Sequence, residues 1–217
     1  VEGVTHIPGG TIDKDTTWTL DGSPYWITGS VTIAVNVTLS IEPGVIVKLQ
    51  GRETDILVKG ALKAQGTEEN PIVFTSYRDD SFGGDTNGDG NTAPQRGDWR
   101  RIIYYDSSID SKCVLDHVII RWGGSDYYNN SMIYIQSACP TISNCDISYS
   151  RTRGIYCENN AFPKITNCRI VSNSDKGIEF YNSSSLTIRN NEIRSNGSGG
   201  IYGHNNCSAE IVGNVIE

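Results

Sequence analysis

The chain has 217 residues, 37% of them hydrophobic and 20% charged, with a formal net charge of −7. Its apolar runs are too short to cross a bilayer as helices, and its 23 glycines follow no three-residue period, which excludes a collagen helix. An acidic balance also argues against a nucleic-acid partner, which needs a basic face, so neither membrane insertion nor nucleic-acid binding is expected.

In chain order, residues 1–29 read as an N-terminal cap or first coil, with Trp18 and Trp26 placed to cover an open end. No secretory leader is visible before Val1, so the start reads as processed. Residues 30–217 read as one solenoid. In "VTIAVNVTLSIEPGVIVKLQ", "ILVKGALKAQGT" and "NPIVFTS" apolar and polar residues alternate, the period of a strand. Gly, Pro and Asn cut these runs where turns are needed. A long polar loop follows at about 78–97. The strands resume in "GDWRRIIYYDSS", with Ile102 and Tyr104 inward, and in "LDHVIIRWGG". Setting Leu115 on Ile142 and Ile120 on Ile147 makes His117 the head of a turn column, hence structural.

From Ser131 the chain repeats itself. "SMIYIQSACPTISNCDISYSRTR", "GIYCENNAFPKITNCRIVSNSDK", "GIEFYNSSSLTIRNNEIRSNGSG" and "GIYGHNNCSAEIVGNVIE" align without gaps. Ile142, Ile165, Ile188 and Ile211 are 23 residues apart, as are Ile147, Ile170, Ile193 and Ile216. Short strands and tight turns at this period predict an all-β fold, a right-handed parallel β-helix with coils of about 23 residues. Stacked coils lie about 4.8 Å apart and bury their inward Ile and Val columns against one another. Asn144, Asn167 and Asn190 share a column, and an amide ladder is expected there, ending at Gly213. The same alignment turns Tyr134 inward with Cys157 and Phe180, and turns Ile133 and Ile135 outward.

These segments carry a resemblance. "LSIEPGVIVKLQ", "GALKAQGTEENPIVFTS", "GDTNGDGN", "GDW" and "LDHVIIRWGG" look like the right-handed β-helix domains of secreted bacterial and archaeal surface proteins. The later copies resemble the parallel β-helix repeat shared with pectate lyases. The resemblance implies the fold and an extracellular or cell-surface setting. It leaves activity open, because this fold hosts enzymes, adhesins and stalks.

The six cysteines take their meaning from the register. Cys145, Cys157 and Cys168 read as small core hydrophobes, and Cys113 with Cys139 is the best disulfide candidate. Five N-x-[ST] sequons, at Asn36, Asn129, Asn182, Asn196 and Asn206, are what an Asn- and Ser-rich repeat yields by chance.

Two constellations point to chemistry. In "DTNGDGN", Asp85, Asn87 and Asp89 alternate on a tight loop, as ligands of a hard cation such as Ca²⁺ do. Arg96 stands where a bidentate Glu would be, so Asp79, Asp80 or Asp98 would complete the set. The second is a strand face whose outward residues include Ile103 and Tyr105, Tyr156 and Glu158, Glu179 and Tyr181, and Tyr202 and His204. Rings with carboxylates and His suit a sugar or a surface partner. No basic residue is expected beside a carboxylate cluster there, Glu158 and Glu179 fall in diagonal columns, and His204 has no acidic neighbour in sequence. The leading expectation is therefore a non-catalytic extracellular module that binds polysaccharide or a surface partner. A polysaccharide lyase or hydrolase is the second reading. A stalk that self-associates through its C-terminal coil is the third, because the chain closes on a strand without a polar cap.

Overall fold

The computed structural model describes residues 3–125 and 131–217, so the sequon at Asn129 lies outside the described residues. Among these residues the strands form three parallel sheets, of nine, eight and eight strands. Each coil adds one strand to each sheet in turn. In one regular coil these are Asp146–Ser148 in the first sheet, Arg153–Glu158 in the second and Lys164–Thr166 in the third.

The expected columns are in register. Leu115 pairs with Ile142, then Ile165, Ile188 and Ile211. Ile120 pairs with Ile147, then Ile170, Ile193 and Ile216. Most of these side chains are fully buried, because a coil has no core of its own and buries its apolar residues only against its neighbours. The exception is the last coil, where Ile211, Val212, Val215 and Ile216 are between 45% and 57% exposed.

The N-terminal residues supply a coil. Thr5–Ile7, Gly10–Ile12 and Thr16–Trp18 each pair with the following strand of their sheet. Trp18 is buried and stacks on Tyr25 with ring centroids 4.9 Å apart.

One left-handed residue makes the corner between the third and first sheets. His117, Asn144, Asn167 and Asn190 have φ of 48°, 53°, 54° and 56°, and Gly213 has 68°. Asn and Gly tolerate that region best. The backbone N–H of His117, Asn144, Asn167 and Asn190 each donates to a carbonyl of the next coil. His117 heads the turn column, as expected. The amide ladder is not where it was expected, because these residues form turns and the Asn144 amide donates to Asp116 at 2.8 Å. Amide-to-amide bonds sit in other columns, Asn191 to Asn214 at 2.8 Å and Asn173 to Asn196 at 3.0 Å. Cys145 and Cys168 precede Asn191 and Asn214 in one column at the same spacing of 23. Their thiols face the Leu115 and Ile142 carbonyls at 3.5 and 3.6 Å. The Asn191 and Asn214 amides serve Ile165 and Ile188 in the same way, at 3.0 and 2.9 Å.

All six cysteines are free, so the expected Cys113–Cys139 bridge is not formed. Cys113 points into the core toward the Gly60 carbonyl, whereas the Cys139 thiol donates to the Phe162 carbonyl at 2.9 Å. Burial pushes the Cys113 thiol up to about 11, which keeps it protonated and unreactive at neutral pH.

Candidate functional site

The long loop covers the outer face of the first sheet. There Lys48, on Ile46–Leu49, is fully buried, and its Nζ donates to the Gly84 carbonyl at 2.5 Å. Burial lowers the Lys48 pKa, and Asp80, Asp79, Asp85 and Asp89 oppose that shift. Asp79, also buried, accepts from Thr75 and Ser81 at 2.6 and 2.5 Å. Asp80 accepts from the Thr92 N–H at 3.2 Å. At the exposed tip Asp85 accepts from the Gly88 and Gly90 N–H groups, and Asn87 donates to Asp89 at 2.7 Å. Each acidic side chain is thus held by hydrogen bonds from the loop or the sheet beneath it. Among the described residues no three His, Cys, Asp or Glu side chains are grouped to hold a metal ion. Arg96 ties the far end of the loop to later coils, donating to the Ser150 and Ser172 carbonyls and lying over Tyr149.

The aromatic face is on the second sheet. All seven expected residues gather there, but the register differs by one residue in one coil. Ile133 and Ile135 pair with Ile155 and Cys157 and are buried in the core, while Tyr134 pairs with Tyr156 on the outer face. A one-residue slip moves every side chain of a strand to the other side. The turn Ser137–Ala138 does with one residue fewer what Asn159–Ala161 does in the next coil. The shared triplets Ile133-Tyr134-Ile135 and Ile155-Tyr156-Cys157 were the available signal.

The outer column now reads Leu57, Ile103, Tyr134, Tyr156, Glu179, Tyr202. Beside it run Gln136, Glu158, Tyr181 and His204. Tyr156 is not an exposed ring. It packs with Ile103 and Tyr134 into a small apolar cluster on the outer face, bordered by Leu57, Tyr105 and Tyr181. Cations flank the rings, with Arg101 4.7 Å from Tyr134, Arg153 5.0 Å from Tyr156 and Lys176 5.4 Å from Tyr202.

Both glutamates have partners that sequence reasoning missed. Glu158 accepts the hydroxyls of Tyr134 and Tyr156. Burial first, then this carboxylate, pushes both phenols well above their usual range. Glu179 is buried and bonded to Arg153, with the Lys176 Nζ and His204 Nε2 each at 3.3 Å. Asp175 joins from the turn, 3.5 Å from Arg153 and 3.2 Å from Lys176. The expectation that no basic residue would meet the carboxylates of this face is therefore corrected. Arg153 enters the face from the start of its strand, and Asp175 and Lys176 from the turn before Ile178–Tyr181 in the next coil, none of which alternation along one strand can place. The acidic partner of His204 is Glu179, one coil away.

Above this base lies an open depression of about 280 Å³ lined by Tyr156, Glu179, Tyr181 and His204. The His204 ring sits 4.6 Å from Tyr181 and 5.1 Å from Tyr202, and Tyr202 is half exposed. The accessible groups are thus aromatic faces, phenol hydroxyls and an imidazole, over carboxylates already bonded to protein.

Known proteins share parts of this chain. Residues 102–217 match the right handed beta helix region, and residues 10–89 match the pectate-lyase like beta helix domain. A stretch of 75 residues is 36% identical to Protein bark beetle of Drosophila melanogaster. That stretch is 35% of this chain and 2% of the insect protein. No solved structure matches.

Proposed function

The chain belongs to the family of right-handed β-helix regions, and from that premise we propose that the outer face of its second sheet is an extracellular, non-catalytic platform for carbohydrate. The observation that carries this reading is the depression at Tyr156, Glu179, Tyr181 and His204, continued by the half-exposed ring of Tyr202. Aromatic faces pack on the apolar C–H faces of a sugar, while phenol hydroxyls and an imidazole exchange hydrogen bonds with its hydroxyls. Tyr134, Glu158 and the Arg153–Glu179–Lys176 cluster hold those groups in place from beneath. A glycoside hydrolase needs one carboxylic acid and one carboxylate free to act on the same bond. Glu158 is held by two phenols and Glu179 by three basic groups, which suits support rather than catalysis.

The test is retention on a panel of immobilised neutral and uronate glycans, with product release measured in parallel. Retention without turnover is expected. The double variant Tyr181→Ala, Tyr202→Ala should bind about tenfold more weakly, as the loss of two stacked rings implies. Product release from any glycan would sink the non-catalytic reading, and unchanged retention by the double variant would move binding off this face.

A further inference from the structure

Repeat composition accounts for the sequons inside the repeat, but not for the first one. Residues 131–217 hold twelve asparagines, whereas Asn36 is the only asparagine among the first 69 residues. It stands with Val37 and Thr38 in a stretch dominated by Val, Ile and Thr.

Asn36 occupies the corner between Val31–Ile33 of the second sheet and Thr38–Ile41 of the third. The Val37 N–H donates to the Ala34 carbonyl at 3.1 Å, closing a four-residue turn with Val35 and Asn36 at its tip. Asn36 has φ of 65°, a region that asparagine tolerates. Val35 is 52% exposed and Asn36 is exposed, whereas Val37 turns into the core. The next coil pins the turn from one side. There the Ala61 N–H donates to the Val37 carbonyl at 2.8 Å. Gly60 passes so close that a Cβ on it would fall 2.2 Å from the Ala34 and Val37 carbonyl oxygens. The tip is thus fixed in place and open to solvent.

The other described sequons are engaged in holding coil to coil. Asn196 Nδ2 donates to the Ile170 carbonyl at 3.0 Å, and its Oδ1 accepts from the backbone and side-chain nitrogens of Asn173. Asn182 Nδ2 donates to Asn159 Oδ1 at 2.6 Å. In the motif at Asn206, the Ser208 hydroxyl donates to Ser185 at 2.9 Å and the Cys207 thiol donates to the His204 carbonyl at 3.0 Å. A sugar on Asn182 or Asn196 would displace a bond between stacked coils. Among the described residues no hydrogen bond engages the side chains of Asn36 and Thr38. Thr38 is tied only through its backbone N–H, to Asp15 at 2.8 Å.

We propose that Asn36 is the acceptor of an N-linked glycan, received from a lipid-linked oligosaccharide diphosphate as the chain is exported. The Asn36 Nδ2 attacks the anomeric carbon of the donor's first sugar. The new C–N bond replaces the C–O bond to the diphosphate, which leaves with that bond's electron pair. The nitrogen gives up one proton to a base on the transferase and keeps the other. The assignment rests on the extracellular reading above and makes no use of the aromatic platform.

The experiment is secretion of the whole chain behind an added leader from eukaryotic cells. Enzymatic release of N-glycans in heavy-oxygen water then marks each occupied asparagine for peptide mapping. The mark is expected at Asn36. Thr38→Val, which keeps the branched side chain and removes the hydroxyl, should abolish it, and Thr38→Ser should retain it. Absence of the mark from Asn36, its persistence in Thr38→Val, or a mark at Asn196 as strong as that at Asn36 would overturn the proposal. The leader delivers the chain to the transferase whatever its native compartment. Failure here is therefore separate from failure of the extracellular reading, which localisation of the native protein tests.

Discussion

Lys48 and Glu179 illustrate how single residues do different work here from what their positions suggest. Each is a charged residue on an outward strand position, where solvent is the ordinary neighbour, yet each is buried. Lys48 is roofed by the long loop, donates to the Gly84 carbonyl, and lies within the electrostatic reach of four aspartates. Its ammonium is the donor there, and losing a buried hydrogen-bond partner costs about 1–3 kcal/mol. Lys48→Met should therefore lower the unfolding free energy by about that amount in urea titrations. A loss below about 0.5 kcal/mol would show that the loop is held without this hydrogen bond. Glu179 holds Arg153, Lys176 and His204 together. Its contribution is to position the rings above it, so its loss should weaken glycan retention as well as stability.

At the scale of the coil, corners matter as much as strands. The Asn191 side chain donates to the Ile165 carbonyl, and its Nδ2 and backbone N–H both meet Asn214 Oδ1. Asn191→Ala leaves a buried carbonyl without its donor, which costs about 1–3 kcal/mol. Denaturant unfolding of that variant checks the figure, with Asn190→Gly as the comparison, since Gly keeps the left-handed turn. The loop is the other distinctive element. Lys48 holds it at the Gly84 carbonyl, and N–H groups of Gly88 and Gly90 donate to Asp85 at its tip. Hydrogen exchange of the Gly88 and Gly90 amides should then be equally slow with Ca²⁺ and with chelator. Protection that arises only with Ca²⁺ would assign the ion to Asp85, Asn87 and Asp89.

For the whole molecule, acid is the informative stress. Burial raises Asp175, but hydrogen bonds from Ser198 and Lys176 and the charges of Lys176 and Arg153 outweigh it and hold the carboxyl below its usual value. Asp116 follows the same pattern, with burial opposed by Ser143, Asn144 and His117. A carboxyl depressed in the folded state stabilises the fold above its unfolded pKa, and that stability is lost as pH falls through the folded value. Thermal midpoints should hold from neutrality down to about pH 4 and fall below it. Asp175→Asn should flatten part of that fall, and an unchanged profile in this variant would remove Asp175 from the account.

The repeat made much of this molecule legible in one dimension. Ile columns at 23-residue spacing define coils, because only residues a whole coil apart can bury each other. The alternation within strands alone places Tyr105, Glu158, Tyr181, Tyr202 and His204 on one face. Three features were decided only by tertiary structure. A one-residue difference in a turn sent Tyr134 outward, because turn length sets strand parity and a gapless alignment ignores it. The Glu179 cluster depends on turn residues whose reach has no period. The burial of Lys48 depends on where an aperiodic loop folds back. Regular hydrophobic repetition determines which residues face the core, and the excursions between strands determine what covers the outside.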